Sequence, residues 1–258
     1  MNHIFSQFQQ AARLLGVRWW TAVLVLALAC LLVKARAADD ASFTRGVESA
    51  RAGQLSEAGH VFEKSVQARP SAGGFVNLGI TEWQRGHAGA AILAWERATW
   101  LDPHDARAVQ NLKFARAAVQ VDEPELRWFE TASTWLPANL WLWLAGMSLW
   151  LALGALVLPS VFRRRKSGWQ QSLAALGLCA FIFSVTANVG VVSRTDIGFV
   201  LKKNVPLRLT PTSGSEVTSI LSAGEPVRRL KTRGNYFFIR TSVAAGWIEQ
   251  GQIGLINE

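Results

Sequence analysis

The sequence predicts a multidomain protein with α and β parts: a module of short helical repeats, a two-helix transmembrane hairpin and a small all-β barrel. Three observations lead to this fold class. Residues 41–118 show an internal period of 33, two later runs are almost wholly apolar, and apolar and polar residues alternate after Arg194. Such a period is typical of stacked helix pairs, long apolar runs are typical of membrane spans, and alternation is typical of strands.

Composition and charge also favour a membrane protein. Apolar residues make up 50% of the 258 residues and are gathered in blocks. The formal net charge is +9 at pH 7, but much of the excess lies in the first 38 residues and in the run Arg163–Lys166. Lys and Arg in such places target and orient membrane proteins, so this charge does not predict nucleic-acid binding. Cys30 and Cys179 are too few for a disulfide framework.

Residues 1–37 predict a signal peptide. Arg13 and Arg18 precede a short apolar core, and Ala35-Arg36-Ala37 forms an Ala-x-Ala site with cleavage expected after Ala37. The alternative is an uncleaved anchor. In both cases the basic leader stays in the cytoplasm, so the chain that follows lies outside it.

Residues 39–119 form the predicted repeat domain. Small residues let paired helices approach closely, glycine permits the turn, and proline ends the second helix. Residues 106–119 are expected to form a further first helix. Two repeats and a cap are close to the smallest stack that buries a shared face, so we expect stabilisation by a partner or by the membrane. The pairs offset by 33 are Gly46 and Gly79, Gly53 and Gly86, Ala58 and Ala91, Phe62 and Trp95, and Pro70 and Pro103.

Residues 139–162 and 170–193 are the predicted transmembrane helices, preceded by a linker over 120–138. Each run can cross ~30 Å of hydrocarbon at ~1.5 Å per residue. The basic loop over 163–169 marks the cytoplasmic side, which leaves both soluble domains outside the inner membrane of a bacterium. Asn188 either hydrogen-bonds across to another helix or reaches water. Tryptophans that fit aromatic belts are Trp128, Trp135, Trp141, Trp143 and Trp169.

Residues 198–258 form the predicted barrel domain. Short alternating segments are separated by turns at Gly214, Gly224 and Gly234, which is typical of a small closed barrel. The five predicted strands are Pro206–Leu209, Val217–Leu221, Pro226–Leu230, Tyr236–Arg240 and Gly246–Ile248.

Two surfaces are candidate binding sites. The register of the repeats turns one set of residues toward a concave side, where large apolar groups either contact a partner or pack against neighbouring helices. In the barrel, Tyr236, Phe238 and Trp247 either line an aromatic groove or fill and rim the core, and alternation puts Tyr236 and Phe238 on one face. The predicted partner-binding residues of the repeats are Phe43, Arg51, Val76, Ile80, Trp83, Gln84, Arg107 and Gln110.

No catalytic, cofactor or metal site is predicted. His60, His87 and His104 lack the spacing of zinc ligands. The sequence contains neither a Gly-x-Ser-x-Gly elbow nor a phosphate-binding Gly-Lys-Ser loop. We therefore expect a protein that is not an enzyme.

Both soluble parts resemble known families. The second repeat, with Asn77-Leu78-Gly79, Gly86 and Asp102-Pro103, resembles the tetratricopeptide repeat. Gly224-Glu225 and Gly246-Trp247-Ile248 are similar to the bacterial SH3-like family, although Tyr236 stands where Trp is usual. The SH3-like resemblance implies binding of cell-wall peptides or protein segments.

The order of these parts resembles the E-type proteins of bacterial aerotolerance (Bat) operons. That resemblance implies a complex with von Willebrand A-type membrane proteins and a MoxR-like ATPase, in envelope stress or protein maturation. The leading hypothesis is a membrane-anchored assembly adaptor. One alternative is a sensor whose SH3-like domain binds peptidoglycan peptide, and another is an accessory to an envelope hydrolase.

Overall fold

The computed structural model describes residues 43–161 and 168–257. The predicted signal peptide and the basic run Arg163–Lys166 lie outside these residues. Within the described part, eight α-helices precede a seven-stranded antiparallel sheet. The fold is therefore mixed α and β, as the sequence predicts.

Five helices form a helical module. Ser71 Oγ accepts a hydrogen bond from the Gly74 N–H and caps α3, and Asp105 caps α5 in the same way. Gly53 and Gly86 have φ of 74° and 82°, a backbone conformation that favours glycine and turns the chain between paired helices. The helices are α1 over 43–51, α2 (Leu55–Ala68), α3 (Ala72–Gln84), α4 (Ala88–Leu101) and α5 (Ala106–Val119).

The two helix pairs repeat one contact. A Cβ on Gly46 would lie 2.7 Å from the Phe62 ring, and a Cβ on Gly79 would lie 2.5 Å from the Trp95 ring. Each glycine thus admits an aromatic ring from the second helix of its own pair. The offset of 33 in the sequence is therefore also an offset in packing.

A second group of helices contains the hairpin. These are α6 (Trp128–Ser133), α7 (Ala138–Val161) and α8 (Gly168–Arg194). Gly177 lets α7 and α8 approach, since a Cβ there would lie 3.0 Å from the Ser148 carbonyl oxygen. Both are long and apolar enough to cross a membrane, and only 11% and 22% of their most apolar windows are buried in the protein. Helix α6 lies within the predicted linker and was not predicted.

The β-domain, residues 197–257, contains all five predicted strands and two more. Strand β1 has four buried residues in succession, so it shows no alternation, and β7 is buried throughout. The sheet order is β3-β2-β6-β5-β4-β1-β7. The strands are β1 (Ile197–Val200), β2 (Val205–Arg208), β3 (Val217–Leu221), β4 (Pro226–Arg233), β5 (Tyr236–Arg240), β6 (Ala245–Glu249) and β7 (Ile253–Leu255).

The helical module and the β-domain share one core. Ile92 of α4 lies over Gly224 and Leu93 lies over Gly254, where side chains larger than hydrogen would overlap them. Ile197 and Phe199 of β1 belong to the same buried cluster as the residues of α3, α4 and α5. From the sequence we expect a partner or the membrane to stabilise the repeat helices. In the structure the β-domain packs against them instead.

Backbone contacts bring α4 especially close to the sheet. A Cβ on Gly89 would overlap the carbonyl oxygens of Val200 and Leu201, at 2.6 Å from the second. The Arg97 guanidinium donates hydrogen bonds of 2.7 and 3.2 Å to the Leu255 carbonyl of edge strand β7. Helix α4 therefore covers one edge of the sheet, where a free strand would invite pairing with another chain.

Candidate protein-binding surfaces

The predicted partner-binding residues of the repeats lie on α1, α3 and α5. Val76 is fully buried in the shared core with Ala108 and Leu112, so a partner cannot reach it. Trp83 is half-buried. The exposed ones are Phe43, Arg51, Ile80, Gln84, Arg107 and Gln110.

An aromatic cluster stands at one end of this set. The Trp83 ring centroid lies 6.1 Å from that of buried Trp95 and 5.6 Å from that of Phe114. Phe114 packs against Trp83 yet remains 60% exposed, and neighbouring Ile80 is 38% exposed. Trp83 thus packs inward and presents its other side outward. We call Ile80, Trp83, Gln84, Arg107, Gln110 and Phe114 the first-helix surface.

Charged groups lie at the start of α5 and at the end of α3. Desolvation acts to raise the pKa of Asp105, but hydrogen bonds from Arg107 and from the Ala108 N–H outweigh it and leave this pKa lowered. At the end of α3, Glu82 accepts from Arg85 at 2.5 Å and lies 2.7 Å from the His87 ring. Arg107 therefore makes the surface polar at the start of α5, whereas Glu82 lies on the side of α3 that faces Gly59 of α2.

Phe43, at the start of the described chain, packs edge-on against Phe62, with ring centroids 6.0 Å apart. It is 36% exposed, so it combines packing with some exposure. Arg51 is exposed at the other end of α1.

The three predicted groove residues of the β-domain lie on its outer face. Phe237, Ile239 and Ile248 fill the core, which leaves Tyr236, Phe238 and Trp247 half-buried on the other side of the same strands. The Phe238 and Trp247 ring centroids are 5.2 Å apart. Trp247 therefore does not fill the core, whereas the shared face of Tyr236 and Phe238 is as the sequence predicts.

A cleft of 610 Å³ opens beside this face. It lies between the segment 120–127, the start of β4 and the loop 240–243. Its lining comes from positions more than 90 residues apart in the chain, which is why the sequence did not indicate it. Across the cleft, the Arg228 guanidinium donates a hydrogen bond of 3.3 Å to the Glu125 carbonyl.

Glu130 forms a buried ionic junction of α6, α8 and β4. Its carboxylate is 0% exposed and accepts hydrogen bonds of 2.8 and 2.9 Å from Arg228. Ser193 Oγ and the Arg127 N–H also donate to it. Desolvation by burial acts to raise the pKa of Glu130, but the bonds from Arg228, Ser193 and Arg127 together outweigh it, so this pKa is lowered.

A second buried ion pair lies within the helical module, between α4 and α5, and the Arg194 side chain at the end of α8 packs nearby. Glu96 pairs with Arg116, and Arg194 lies 4.8 Å over the Trp100 ring. Arg194 also donates to Ser133 Oγ at 3.3 Å. Burial raises the pKa of Glu96, and the nearby charges of Arg116 and Arg194 offset only part of that rise. The sequence did not indicate either ionic group.

The polar residue of the second apolar helix bonds within that helix. Asn188 Nδ2 donates to the Ser184 carbonyl at 2.9 Å, rather than across to another helix. Trp141 of α7 is buried, and its Nε1 donates to the Ser133 carbonyl at 3.0 Å. Trp141 therefore joins α7 to the end of α6.

Residues that could support chemistry are dispersed in the structure. Across 43–161 and 168–257, no three His, Cys, Asp or Glu side chains are grouped so as to hold a metal ion. His104 Nε2 lies 3.1 Å from the Trp135 carbonyl, and His87 is near Glu82. These histidines thus contribute to local packing and polar contacts.

Comparison of the sequence with protein-family models gave no match, and comparison with curated proteins gave none either.

Proposed function

We propose that this chain is a non-enzymatic, membrane-anchored scaffold of a bacterial envelope, whose first-helix surface holds a segment of a partner protein. The supporting observation is that the β-domain covers only one side of the helical module. The β-domain packs against α4, while Ile80 and Phe114 on α3 and α5 remain 38% and 60% exposed. Exposed apolar groups that cluster beside polar ones are typical of protein-binding surfaces.

Two helices long and apolar enough to cross a membrane support the anchor. In the proposal, the run Arg163–Lys166 stays in the cytoplasm because cations are enriched on that side of spanning segments. Both ends of the hairpin then face away from the cytoplasm, so the helical module and the β-domain lie outside it. The hairpin anchors them in the inner membrane. A signal peptide over 1–37 belongs to the same proposal.

The order of the parts supports a more specific proposal. The equivalent contacts of Gly46 with Phe62 and of Gly79 with Trp95 agree with tetratricopeptide-like repeats, and the short-stranded sheet agrees with an SH3-like domain. Together with the hairpin they resemble the E-type proteins of Bat operons. Partners of the classes that resemblance implies are von Willebrand A-type membrane proteins and a MoxR-like ATPase.

Substitution on the first-helix surface tests the scaffold. We expect Ile80→Arg and Phe114→Arg to reduce recovery of partners at least tenfold, because burying one such side chain in an interface contributes about 1.5–3 kcal/mol. Recovery is measured by affinity purification of the tagged full chain from native membranes, followed by quantitative mass spectrometry. Folding is checked by thermal unfolding of each variant.

Val109→Arg is the matched control. Val109 is 47% exposed on α5, but at 100° per residue it lies about 140° round the helix from Phe114. Its recovery of partners should equal that of the unchanged chain. Equal recovery by all three variants, or equal loss by all three, would contradict the assignment of this surface.

A further inference from the structure

The outer face of the β-domain presents aromatic rings between cations. Trp247 pairs across the strands with Arg208 on one side and with Phe238 on the other, and Phe238 pairs in turn with Lys231. Residues paired in register on adjacent strands share a face. Four neighbouring strands thus carry a row of cation, ring, ring and cation, which we call the cation–aromatic row.

Most cations on this face have no acidic partner. Lys231, Arg233 and Arg240 are exposed, and none of them makes an ion pair within the described part of the chain. Arg208 donates only to the Ser215 carbonyl among its described contacts. Glu249, opposite Tyr236, is the one acid that the described strands place on the face. The face is therefore strongly positive around its half-buried rings.

The chain itself places an acidic segment at one end of this face. Residues 120–127 have no regular secondary structure and include Asp122, Glu123 and Glu125. Arg228 holds the segment by a hydrogen bond to the Glu125 carbonyl, and the 610 Å³ cleft lies between the segment and the sheet. Arg240 lines the cleft and shares a face with Phe238, so the cleft opens onto the row.

We propose that the cation–aromatic row and this cleft bind an extended, acidic protein segment. Its carboxylates pair with Lys231 and Arg240, and an apolar residue between them packs on Phe238 and Trp247. The chemistry follows from the excess of unpaired cations and from the acidic segment that already occupies the neighbouring position. This site uses other residues than the first-helix surface and does not depend on the function proposed for it.

The test uses the full chain in nanodiscs of zwitterionic lipid. The probe is a fluorescein-labelled synthetic peptide in which Glu and Asp alternate with Phe and Leu, compared with a peptide that has Gln and Asn instead. Fluorescence anisotropy should show at least tenfold tighter binding of the acidic peptide. The double variant Lys231→Glu, Arg240→Glu should weaken that binding at least tenfold.

The matched control is Lys202→Glu, Lys203→Glu, which reverses two exposed charges in the connection from β1 to β2. It should leave the affinity unchanged, because these lysines lie outside the row. Phe238→Ala should weaken the binding of both peptides, since the ring contact is independent of charge.

Three results would overturn the proposal. The first is equal affinity for the two peptides, and the second is equal loss in the Lys202 and Lys203 control. The third is no binding of the acidic peptide. It can be accompanied by Lys231-dependent sedimentation on murein sacculi or by protection of Lys231 from acetylation in anionic nanodiscs. That last pattern would assign the face to the cell wall or to the bilayer surface.

Discussion

The β-domain is held to the rest of the molecule in two places by different forces. At α4 the contact is apolar and close: Leu93 lies over Gly254, Ile92 over Gly224, and Gly89 on strand carbonyls. At α6 the contact is ionic, with a buried carboxylate between Arg228 and Ser193. The first contact depends on the absence of side-chain volume, and the second depends on the presence of a charge.

This difference indicates how each joint can fail. Close packing is insensitive to pH but does not accept added volume. A buried ion pair adds little net stability compared with a well-packed apolar pair, yet loss of one partner is costly because the other charge is left without compensation. One substitution at each joint should therefore reveal its character.

Glu130→Ala should have the largest effect. It removes the acceptor for Arg228, Ser193 and the Arg127 N–H, and loss of one partner from a buried pair costs about 3–5 kcal/mol. The free energy of unfolding is measured by denaturant titration of the full chain in detergent. Glu125→Ala removes an exposed carboxylate nearby and should change it by less than about 0.5 kcal/mol. A loss below about 0.5 kcal/mol in Glu130→Ala as well would show that the ionic joint does not support the fold.

Gly89→Ala should have a smaller effect, a loss of about 1–3 kcal/mol from overpacking. Alanine by itself favours a helix over glycine by about 0.5–1 kcal/mol, so a loss can come only from contact with the carbonyls of Val200 and Leu201. Gly73→Ala is the control, since Gly73 is also the second residue of its helix and its Cβ would meet only Arg107 at 3.9 Å. Unchanged or increased stability of Gly89→Ala would mean that α4 does not press on the sheet.

The pH dependence should be the smallest effect and specific to the ionic joint. The pKa of Glu130 is below its ordinary value of 4.5, so its stabilisation is complete above pH 4.5 and is lost as the pH falls through the lowered pKa. Glu130→Gln should therefore weaken the acid-induced loss of stability. Thermal unfolding between about pH 3 and pH 7 measures it, over the range where carboxylates titrate.

Glu96→Gln is the comparison for that experiment. The pKa of Glu96 is raised, so its charging lowers stability as the pH rises above 4.5, and it has no part in the loss at low pH. The acid-induced loss should persist in this variant. Its disappearance there would assign the effect to Glu96 instead.

The sequence predicted those elements whose own residues show a regular pattern of apolar and polar positions. Helix α5 begins and ends where predicted, at Ala106 and Val119, because Asp105 caps it and its buried side follows helical spacing. Strands β2, β5 and β6 alternate between buried and more exposed residues, because one face meets the core and the other meets solvent. The two apolar helices were evident from composition alone.

The missed elements and residues are those whose surroundings come from distant parts of the chain. Strand β1 is buried by the sheet and by α4, so its apolar run lacks the period of a strand. Glu130 has no local signal in the sequence, because its partner Arg228 is 98 residues away in the chain. Trp247 fits a core by its size, but Ile248 next to it takes that place. Local patterns carry no information on such distant partners.

The connection between α8 and β1 has a mechanical consequence. Only Thr195 and Asp196 separate the apolar helix from the sheet, and two extended residues span at most about 7 Å. If α8 spans a bilayer, the β-domain would lie directly against the lipid headgroups. Because α4 packs on the β-domain, any tilt of α8 would also move α4. The helical module and the β-domain would then stay close to the membrane in a fixed orientation. This arrangement suits partners that are anchored in the same membrane.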